Sequence, residues 1–284
     1  MQMQSSGFLV DSLDSLLHGT AFEVYYRTSQ CMVMFQCPLD QFERILVKRA
    51  FGCCLGCSVR SSANSNSITT FGNSQRRVTD SLIVINAMLF GLQAVSGQKL
   101  LLMGAKINSA ISQGEWWRLM TAAFLHADIL HLGFNCNALH QIGPMVEALS
   151  GSARFSVIYL GSAVAGNLAS MALSPHMSVG ASGAIFGVAA SLAVFAYRHR
   201  ALMGERADFL LKRLSDTAAI NFMYGLIIRR IDNWGHLGGL LGGAALTYLL
   251  GPRLVAVRPR GTRNVQLVDR PPLPILADRR PERK

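Results

Sequence analysis

The sequence places a serine in a glycine-flanked run that could supply a nucleophile. Ser182 lies in Gly180-Ala181-Ser182-Gly183, where the glycines leave the hydroxyl accessible at the start of a predicted helix. Free N–H groups and the helix dipole at such an N-terminus can stabilise a developing oxyanion. The run differs from the G-x-S-x-G elbow of α/β hydrolases, because Ala184 occupies the last position and no strand precedes it. On this run alone, Ser182 could equally cap or pack a helix.

A histidine in the last apolar segment could serve as the base for this serine. His236 shares one helix face with Gly239 and Gly243, which follow it at i+3 and i+7. Gly183 and Gly187 form a matching small-residue edge on the helix of the serine. Small residues allow membrane helices to approach backbone to backbone. The spacing predicts that the imidazole reaches the serine hydroxyl and takes its proton, whereas a packing histidine is the ordinary alternative.

Two further polar side chains could stabilise an oxyanion. His131 and Asn135 are one turn apart on one helix face, and both can donate hydrogen bonds. An oxyanion hole needs such donors, although bonding between helices is a simpler use for them. His126 and His131 are also candidates for a metal, but their spacing departs from H-E-x-x-H and no carboxylate is adjacent to either. We predict neither a metal nor a cofactor.

The elements that carry these residues have the composition of a membrane protein. Only 15% of the 284 residues are charged, against about 25% in soluble domains. No Asp, Glu, Lys or Arg occurs in residues 155–197 or 233–252, and a helix crosses a bilayer with roughly 20 apolar residues. The net charge of +11 clusters at segment ends and tails without interleaved aromatics. We therefore assign it to membrane orientation, and not to nucleic-acid binding.

The hydropathy pattern predicts an all-α membrane protein with six transmembrane helices. The predicted spans are residues 81–95, 131–149, 155–173, 182–197, 214–228 and 234–250. The fifth is short and carries Asp216 near one end. The distribution of Lys and Arg places both tails inside. Every even-numbered span then begins at the outer face, where the serine, its histidine and the His131–Asn135 pair lie at one membrane depth.

The chain divides into three predicted regions. Residues 1–78 form a leader, residues 79–252 the six-span domain, and residues 253–284 a basic, Pro-rich solvated tail. Residues 44–79 contain no acid but six Lys or Arg, which is typical of an organelle transit segment, with a solvated disordered leader as the alternative. The Cys54-x-x-Cys57 pair has no second Cys or His pair for a zinc or redox site.

The chain resembles the rhomboid family of intramembrane serine proteases, over about residues 79–252. Trp117 and Arg118, in Glu115-Trp116-Trp117-Arg118, resemble the Trp-Arg signature of the family's first loop. The other matching motifs are H…HxxxN at His126, His131 and Asn135; GxSG at Gly180–Gly183; and HxxGxxxG at His236, Gly239 and Gly243.

The resemblance implies a mechanism and a class of substrate. It implies Ser182 as nucleophile and His236 as base, without a third acid, and an oxyanion hole from His131, Asn135 and the Ser182 N–H. Phe186 occupies the position where relatives place an aromatic ring, in some bacterial members a tyrosine, against the imidazole. The implied partners are the lipid bilayer and single-span membrane-protein substrates.

The sequence leaves one alternative open for the location of the protein and one for its activity. The leader and residues 234–243 look similar to plant plastid rhomboids, so we expect a chloroplast membrane, of the inner envelope, with the mitochondrial inner membrane as the alternative. A catalytically inactive, rhomboid-like chaperone or adaptor would bind transmembrane helices without cutting them. Such proteins usually lack the dyad that this sequence keeps. A transporter would favour repeats or charged residues at the midplane, which the sequence lacks.

Overall fold

The computed structural model describes residues 74–228, 230–258 and 266–276. Nearly all of the predicted leader, including Cys54-x-x-Cys57, lies outside the described residues. The α helices are α1 (Arg77–Val95), α2 (Lys99–Gly104), α3 (Asn108–Ser112), α4 (Arg118–Thr121), α5 (Ile129–Ser150), α6 (Ser152–Leu173), α7 (Ser182–Arg198), α8 (Arg200–Met203), α9 (Glu205–Ile227) and α10 (Asn233–Leu250). Two strands, β1 (Leu254–Val257) and β2 (Gln266–Asp269), follow, and 3₁₀ turns lie at Ser74–Arg76, Ala122–Phe124 and Pro274–Leu276.

The predicted spans correspond to the six long helices α1, α5, α6, α7, α9 and α10. Each span falls within one helix, except that Ile228 lies just beyond the end of α9. Within the described ranges, α1 and α6 are long and apolar enough to cross a membrane, judged by length and composition, and α7 is a shorter apolar helix. The helical fold expected from the sequence is therefore present.

α9 begins earlier than the predicted fifth span. It starts at Glu205, and its first half carries exposed charges, including an ion pair of 2.9 Å between Lys212 and Asp216. A search for apolar residues misses such turns, because helical pairs of opposite charge at i, i+4 stabilise an exposed helix without apolar burial. α9 packs chiefly on α7.

Glycines bring the three central helices α6, α7 and α10 into backbone contact. A Cβ added to Gly166 on α6 would lie 2.6 Å from the Gly235 carbonyl oxygen of α10. Cβ atoms on Gly239 and Gly243 would collide with the backbone of Gly183 and Gly187 on α7. Any larger side chain at these positions would force the helices apart. The close contact lies along the edges that carry Ser182 and His236.

A buried carboxylate fixes the start of α1 against α5. Glu147 accepts the N–H groups of Val78 and Thr79 at 2.9 Å and the Thr79 hydroxyl at 2.8 Å. It also accepts the hydroxyl of Ser152 at 2.7 Å. The first N–H groups of a helix lack partners within it, and a negative charge there is favourable. Glu147 therefore satisfies these donors without help from water.

The described part of the C-terminal segment pairs with itself and with the helices. β1 and β2 form an antiparallel pair in which Leu254 lies opposite Asp269. Asp269 forms an ion pair of 2.6 Å with Arg154 of α6, and the Leu254 N–H donates to His199 Nε2 at 2.9 Å. We expected a solvated tail over residues 253–284, and these contacts depart from that expectation. Four-residue strands leave too short an alternation to read from sequence, and their anchors are distant in the chain.

Candidate active site

The starts of two helices hold a serine and a histidine in hydrogen-bond contact. Ser182 is the first residue of α7, and His236 lies in the first turn of α10. His236 Nε2 is 2.9 Å from Ser182 Oγ, and His236 is buried. An imidazole that carries its proton on Nδ1 accepts the serine O–H at Nε2 in this geometry. The pair can therefore act as nucleophile and general base.

The glycines next to the pair set this distance. A Cβ on Gly183, directly after the serine, would lie 3.2 Å from the Gly235 carbonyl oxygen, directly before the histidine. One turn further along, Gly239 leaves no room for a Cβ beside Gly183. The two residues meet because their helices have no side chains between them.

Two phenylalanines enclose the imidazole. The Phe186 ring stacks on His236 with centroids 4.5 Å apart and planes at 19°, and Phe222 of α9 presents an edge at 6.5 Å. The two phenylalanine rings are 5.6 Å apart. This packing fixes the ring orientation and shields one face from water. Sequence reasoning missed Phe222, because it lies in an apolar segment without a motif.

His131 and Asn135 lie against the chain just before the serine. Gly180 has φ +129°, and a Cβ there would lie 2.7 Å from His131 Nε2 and 3.8 Å from Asn135 Nδ2. The Ala127 N–H donates to His131 Nδ1 at 3.4 Å, which leaves the ring proton on Nε2. Asn135 Nδ2 donates one hydrogen bond to the His131 carbonyl oxygen at 3.0 Å, and its second N–H is available for another acceptor. Both side chains therefore offer donors beside the N-terminus of α7.

A buried lysine holds the loop that leads to the serine. The backbones of Lys106 and Ser178 exchange two hydrogen bonds of 3.0 and 3.1 Å. Lys106 Nζ donates to the carbonyls of Ser174 and His176, at 3.2 and 2.7 Å. Burial lowers the pKa of Lys106, and the charge of Asp232 acts in the opposite direction. No sequence motif marks Lys106, since its partners are carbonyls far away in the chain.

Trp117 and Arg118 organise the first loop and do not line the site cavity. Arg118 donates to the carbonyls of Leu102 and Ala105 at 2.8 and 2.9 Å, and forms an ion pair of 2.6 Å with Glu115. The exposed Trp117 indole donates to a carbonyl of α2 at 3.3 Å. Their contribution is to shape the chain before α5.

His126 supports His131 from behind. Its buried ring meets the His131 ring edge-on, with centroids 5.3 Å apart. The Gln93 side-chain amide donates to the His126 carbonyl at 2.7 Å and accepts the His126 N–H at 3.3 Å. Burial, and then the neighbouring His131, lower the pKa of His126 to about 4. His126 is therefore neutral at physiological pH and adds no charge to the site.

A cavity of about 1140 Å³ opens from the dyad. Its walls include Ser182, His236, His131 and Asn135, and it extends between α7 and α9 along largely apolar side chains. Within the described residues, no group of three His, Cys, Asp or Glu side chains could hold a metal ion. At one end of an apolar chamber, the arrangement places a hydroxyl beside an imidazole and two side-chain hydrogen-bond donors. Acyl transfer uses groups of these types as nucleophile, base and oxyanion donors.

Comparison with known proteins shows which family this chain is similar to. Residues 113–253 match the Rhomboid domain. Rhomboid protease GluP of Bacillus subtilis is 39% identical over 186 residues, which cover 64% of this chain and 36% of GluP. Putative rhomboid protease YdcA of the same organism is 35% identical over 145 residues, 50% of this chain and 71% of YdcA. RHOMBOID-like protein 9, chloroplastic, of Arabidopsis thaliana is 34% identical over 159 residues, 54% of this chain and 36% of the relative.

The chain is an all-α membrane protein. More particularly, it belongs to the rhomboid family, and the resemblance read from its motifs is confirmed. The matched region spans only about a third of the length of GluP.

Proposed function

We propose that this protein is a serine endopeptidase that cleaves transmembrane segments of membrane-protein substrates, with Ser182 as nucleophile and His236 as base. The observation that carries the proposal is the 2.9 Å contact between Ser182 Oγ and His236 Nε2 at the end of a large apolar cavity. The relatives GluP and YdcA are named rhomboid proteases, the second as putative, which supports the same reaction class.

The chemical sequence follows from the positions of these atoms. Ser182 Oγ attacks the peptide carbonyl carbon while its proton moves to His236 Nε2. The resulting imidazolium returns that proton to the amide nitrogen, the C–N bond breaks and an amine leaves. A water molecule, deprotonated by His236, then attacks the acyl-enzyme and releases the carboxyl product and the serine.

The oxyanion of each tetrahedral intermediate needs donors that are already in place. Three donors are proposed for this role: His131 Nε2–H, the second Asn135 Nδ2–H and the backbone N–H of Ser182. The Nδ1 acceptor role of His131 fixes the first of these protons. Fixed donors in a water-poor cavity stabilise the transition state without reorganising when charge develops.

The substrates proposed are single-span membrane proteins. An intact helix hides each carbonyl in its i, i+4 hydrogen bond, so the segment must unwind before it is attacked. Small and helix-weakening residues lower that cost. The cavity offers apolar side chains from α7 and α9 to the unwound segment, and polar donors only at the dyad end.

The six-span topology with both tails inside belongs to the same proposal. It is supported by the agreement of each predicted span with one long helix and by the placement of Lys and Arg. For the membrane itself, we favour the chloroplast inner envelope over the mitochondrial inner membrane. The acid-poor residues 44–79 and the chloroplastic Arabidopsis relative support this choice. Import of the full chain into isolated plastids and mitochondria, followed by fractionation, tests it.

Fluorophosphonate labelling combined with cleavage of a single-span substrate tests the activity. Wild type is expected to label and to cleave, while Ser182→Ala and His236→Ala do neither and keep the wild-type melting temperature. Ser81→Ala, an exposed serine on α1, is the matched control and should behave as wild type. A wild-type protein that binds model transmembrane helices but neither labels nor cuts them would instead support the chaperone or adaptor alternative.

A further inference from the structure

A carboxylate is fixed one turn before the candidate base. Asp232 Oδ1 accepts the Gly235 N–H at 2.9 Å and so caps α10. Asp232 Oδ2 accepts the hydroxyl proton of Ser170 on α6. Two different helices therefore hold the two carboxylate oxygens, in a wall of the same cavity that His236 lines.

The electrostatic field at His236 opposes its work as a base. Ser182 begins α7, and His236 lies in the first turn of α10. A helix N-terminus carries about half a positive charge, which stabilises anions and destabilises cations. This field favours the oxyanion but disfavours the imidazolium that forms when His236 takes the serine proton. A negative charge near the ring would offset the effect.

Asp232 is the carboxylate placed to provide that charge. The acidic residues that line the large cavity, within the described ranges, are Asp128 and Asp232. Asp128 caps α5, where it accepts the His131 N–H at 2.8 Å. Asp232 begins the helix of the base itself, and the backbone N–H of His236 donates to its carbonyl at 3.0 Å.

The far side of the imidazole provides an independent observation. His236 Nδ1 is buried and has no hydrogen-bond partner among the described residues. A second, small cavity of about 20 Å³ is lined by Asp232, Gly235, His236 and Ser178. That volume suffices for one water molecule. A water there can accept the Nδ1 proton and donate to the Asp232 carboxylate.

We propose that Asp232 is a positioning residue for the Ser182–His236 dyad. Its carboxylate holds the neutral imidazole as the Nδ1–H tautomer, with Nε2 free for the serine proton, and stabilises the imidazolium that follows. The inference rests on the proposed function, and it adds an acid where the family resemblance implied none. Within the described residues, the other charged or titratable groups that line the large cavity are Asp128, which caps α5, and His131, His176, Lys212, Tyr224 and Arg230. Lys106 lies on the loop that leads to the serine.

Two substitutions separate the charge of Asp232 from its capping. Asn and Ser are both good N-cap residues, so Asp232→Asn and Asp232→Ser keep an acceptor for Gly235 and remove the charge. The measurements are kcat/KM against pH for cleavage of a single-span substrate by the full chain in liposomes, and the melting temperature. Asp208→Asn, an exposed acid of α9 paired with Arg200, is the matched control and is expected to keep the wild-type rate and profile.

Both Asp232 variants are expected to melt as wild type and to lose roughly tenfold or more in kcat/KM. The acid limb of the profile should move about one pH unit lower, the effect of removing one neighbouring negative charge from a base. An unmoved acid limb in folded variants overturns the proposal even if the rate falls, because the charge of Asp232 would then not act on the protonation of His236.

A folding failure is covered by a third variant. Ser170→Ala removes the hydrogen bond that fixes Asp232 Oδ2 and leaves the sequence of α10 unchanged. The released carboxylate can turn toward water and away from His236, so we expect the acid limb to move in the same direction by a smaller amount. If the Asp232 variants unfold, an unmoved limb in Ser170→Ala overturns the proposal. Absence of cleavage by wild type would count against the proposed function itself, and it would be seen before any variant is compared.

Discussion

Gly239→Ala tests whether the contact between α7 and α10 sets the geometry of the dyad. A Cβ at this position would lie 2.6 Å from the carbonyl carbon and 2.9 Å from the Cα of Gly183, with the carbonyl oxygen closer still. Non-bonded carbons pack at about 3.5–4.0 Å. The obstructing atoms are backbone, so no side chain can rotate away. The two helices must separate by about 1 Å.

That separation reaches the dyad directly. Ser182 and His236 are joined across the same helix pair, and adding about 1 Å takes their 2.9 Å contact beyond hydrogen-bond range. A misplacement of about 1 Å in a catalytic group can cost about 10²-fold in rate. We therefore expect kcat/KM to fall about 10²-fold in Gly239→Ala. Overpacking should also cost about 1–3 kcal/mol of stability.

The assay is cleavage of a single-span substrate, with fluorophosphonate labelling to count competent serines and thermal unfolding to follow the fold. Gly133→Ala is the control, because Gly133 is an exposed glycine of α5 with nothing within 4 Å of an added Cβ. Alanine is favoured over glycine within a helix by about 1 kcal/mol, so this variant should keep its activity and be at least as stable as wild type. A folded Gly239→Ala protein with wild-type kcat/KM would refute the reasoning.

Three further outcomes are expected. Asn135→Ala should lower kcat by about 10²–10³-fold and leave weak activity, as for loss of one oxyanion donor, and wild-type activity would remove Asn135 from that role. Glu147→Ala leaves the buried Thr79 N–H unpaired at about 1–3 kcal/mol, so the melting temperature should fall, whereas an unchanged value would contradict the capping role. Because burial lowers the pKa of His199, its neutral form accepts the Leu254 N–H above the ordinary histidine pKa. Acidification should therefore release the hairpin, measured as faster amide exchange at Leu254, and His199→Gln should remove this pH dependence.

The helices and the glycine edges could be predicted from the sequence because both depend on local residue patterns. Apolar runs give each long helix, and the spacing of Gly239 and Gly243 from His236 is set by the helical repeat alone. The prediction that the serine and the histidine approach each other depended on knowing which helix faces carry small residues. Because every even-numbered span was predicted to begin at the outer face, the remaining donors, His131 and Asn135, were predicted at the same end. None of these steps needed a long-range contact.

The parts that sequence did not reveal all depend on partners distant in the chain. Lys106 binds the carbonyls of a loop about 70 residues later, and backbone acceptors leave no trace in residue type. Phe222 contacts His236 from α9, a helix whose charged first half was not predicted from the apolar pattern. Asp232 reads as an ordinary helix cap, which it is. Its proximity to the base becomes visible only when Ser170 fixes the direction of its carboxylate.

Two different kinds of contact hold the dyad and the α9 wall of the cavity. α6, α7 and α10 are joined through backbone contacts at glycines, so the backbones of Ser182 and His236 cannot move apart without moving whole helices. α9 packs chiefly on α7, through side chains such as Phe222 against Phe186. A displacement of α9 would widen the cavity and withdraw one aromatic edge from His236. It would leave the dyad distance unchanged, because that distance depends on the contact between α7 and α10. If the proposed function holds, admission of a bulky segment therefore depends on α9, whereas proton transfer depends on α7 and α10.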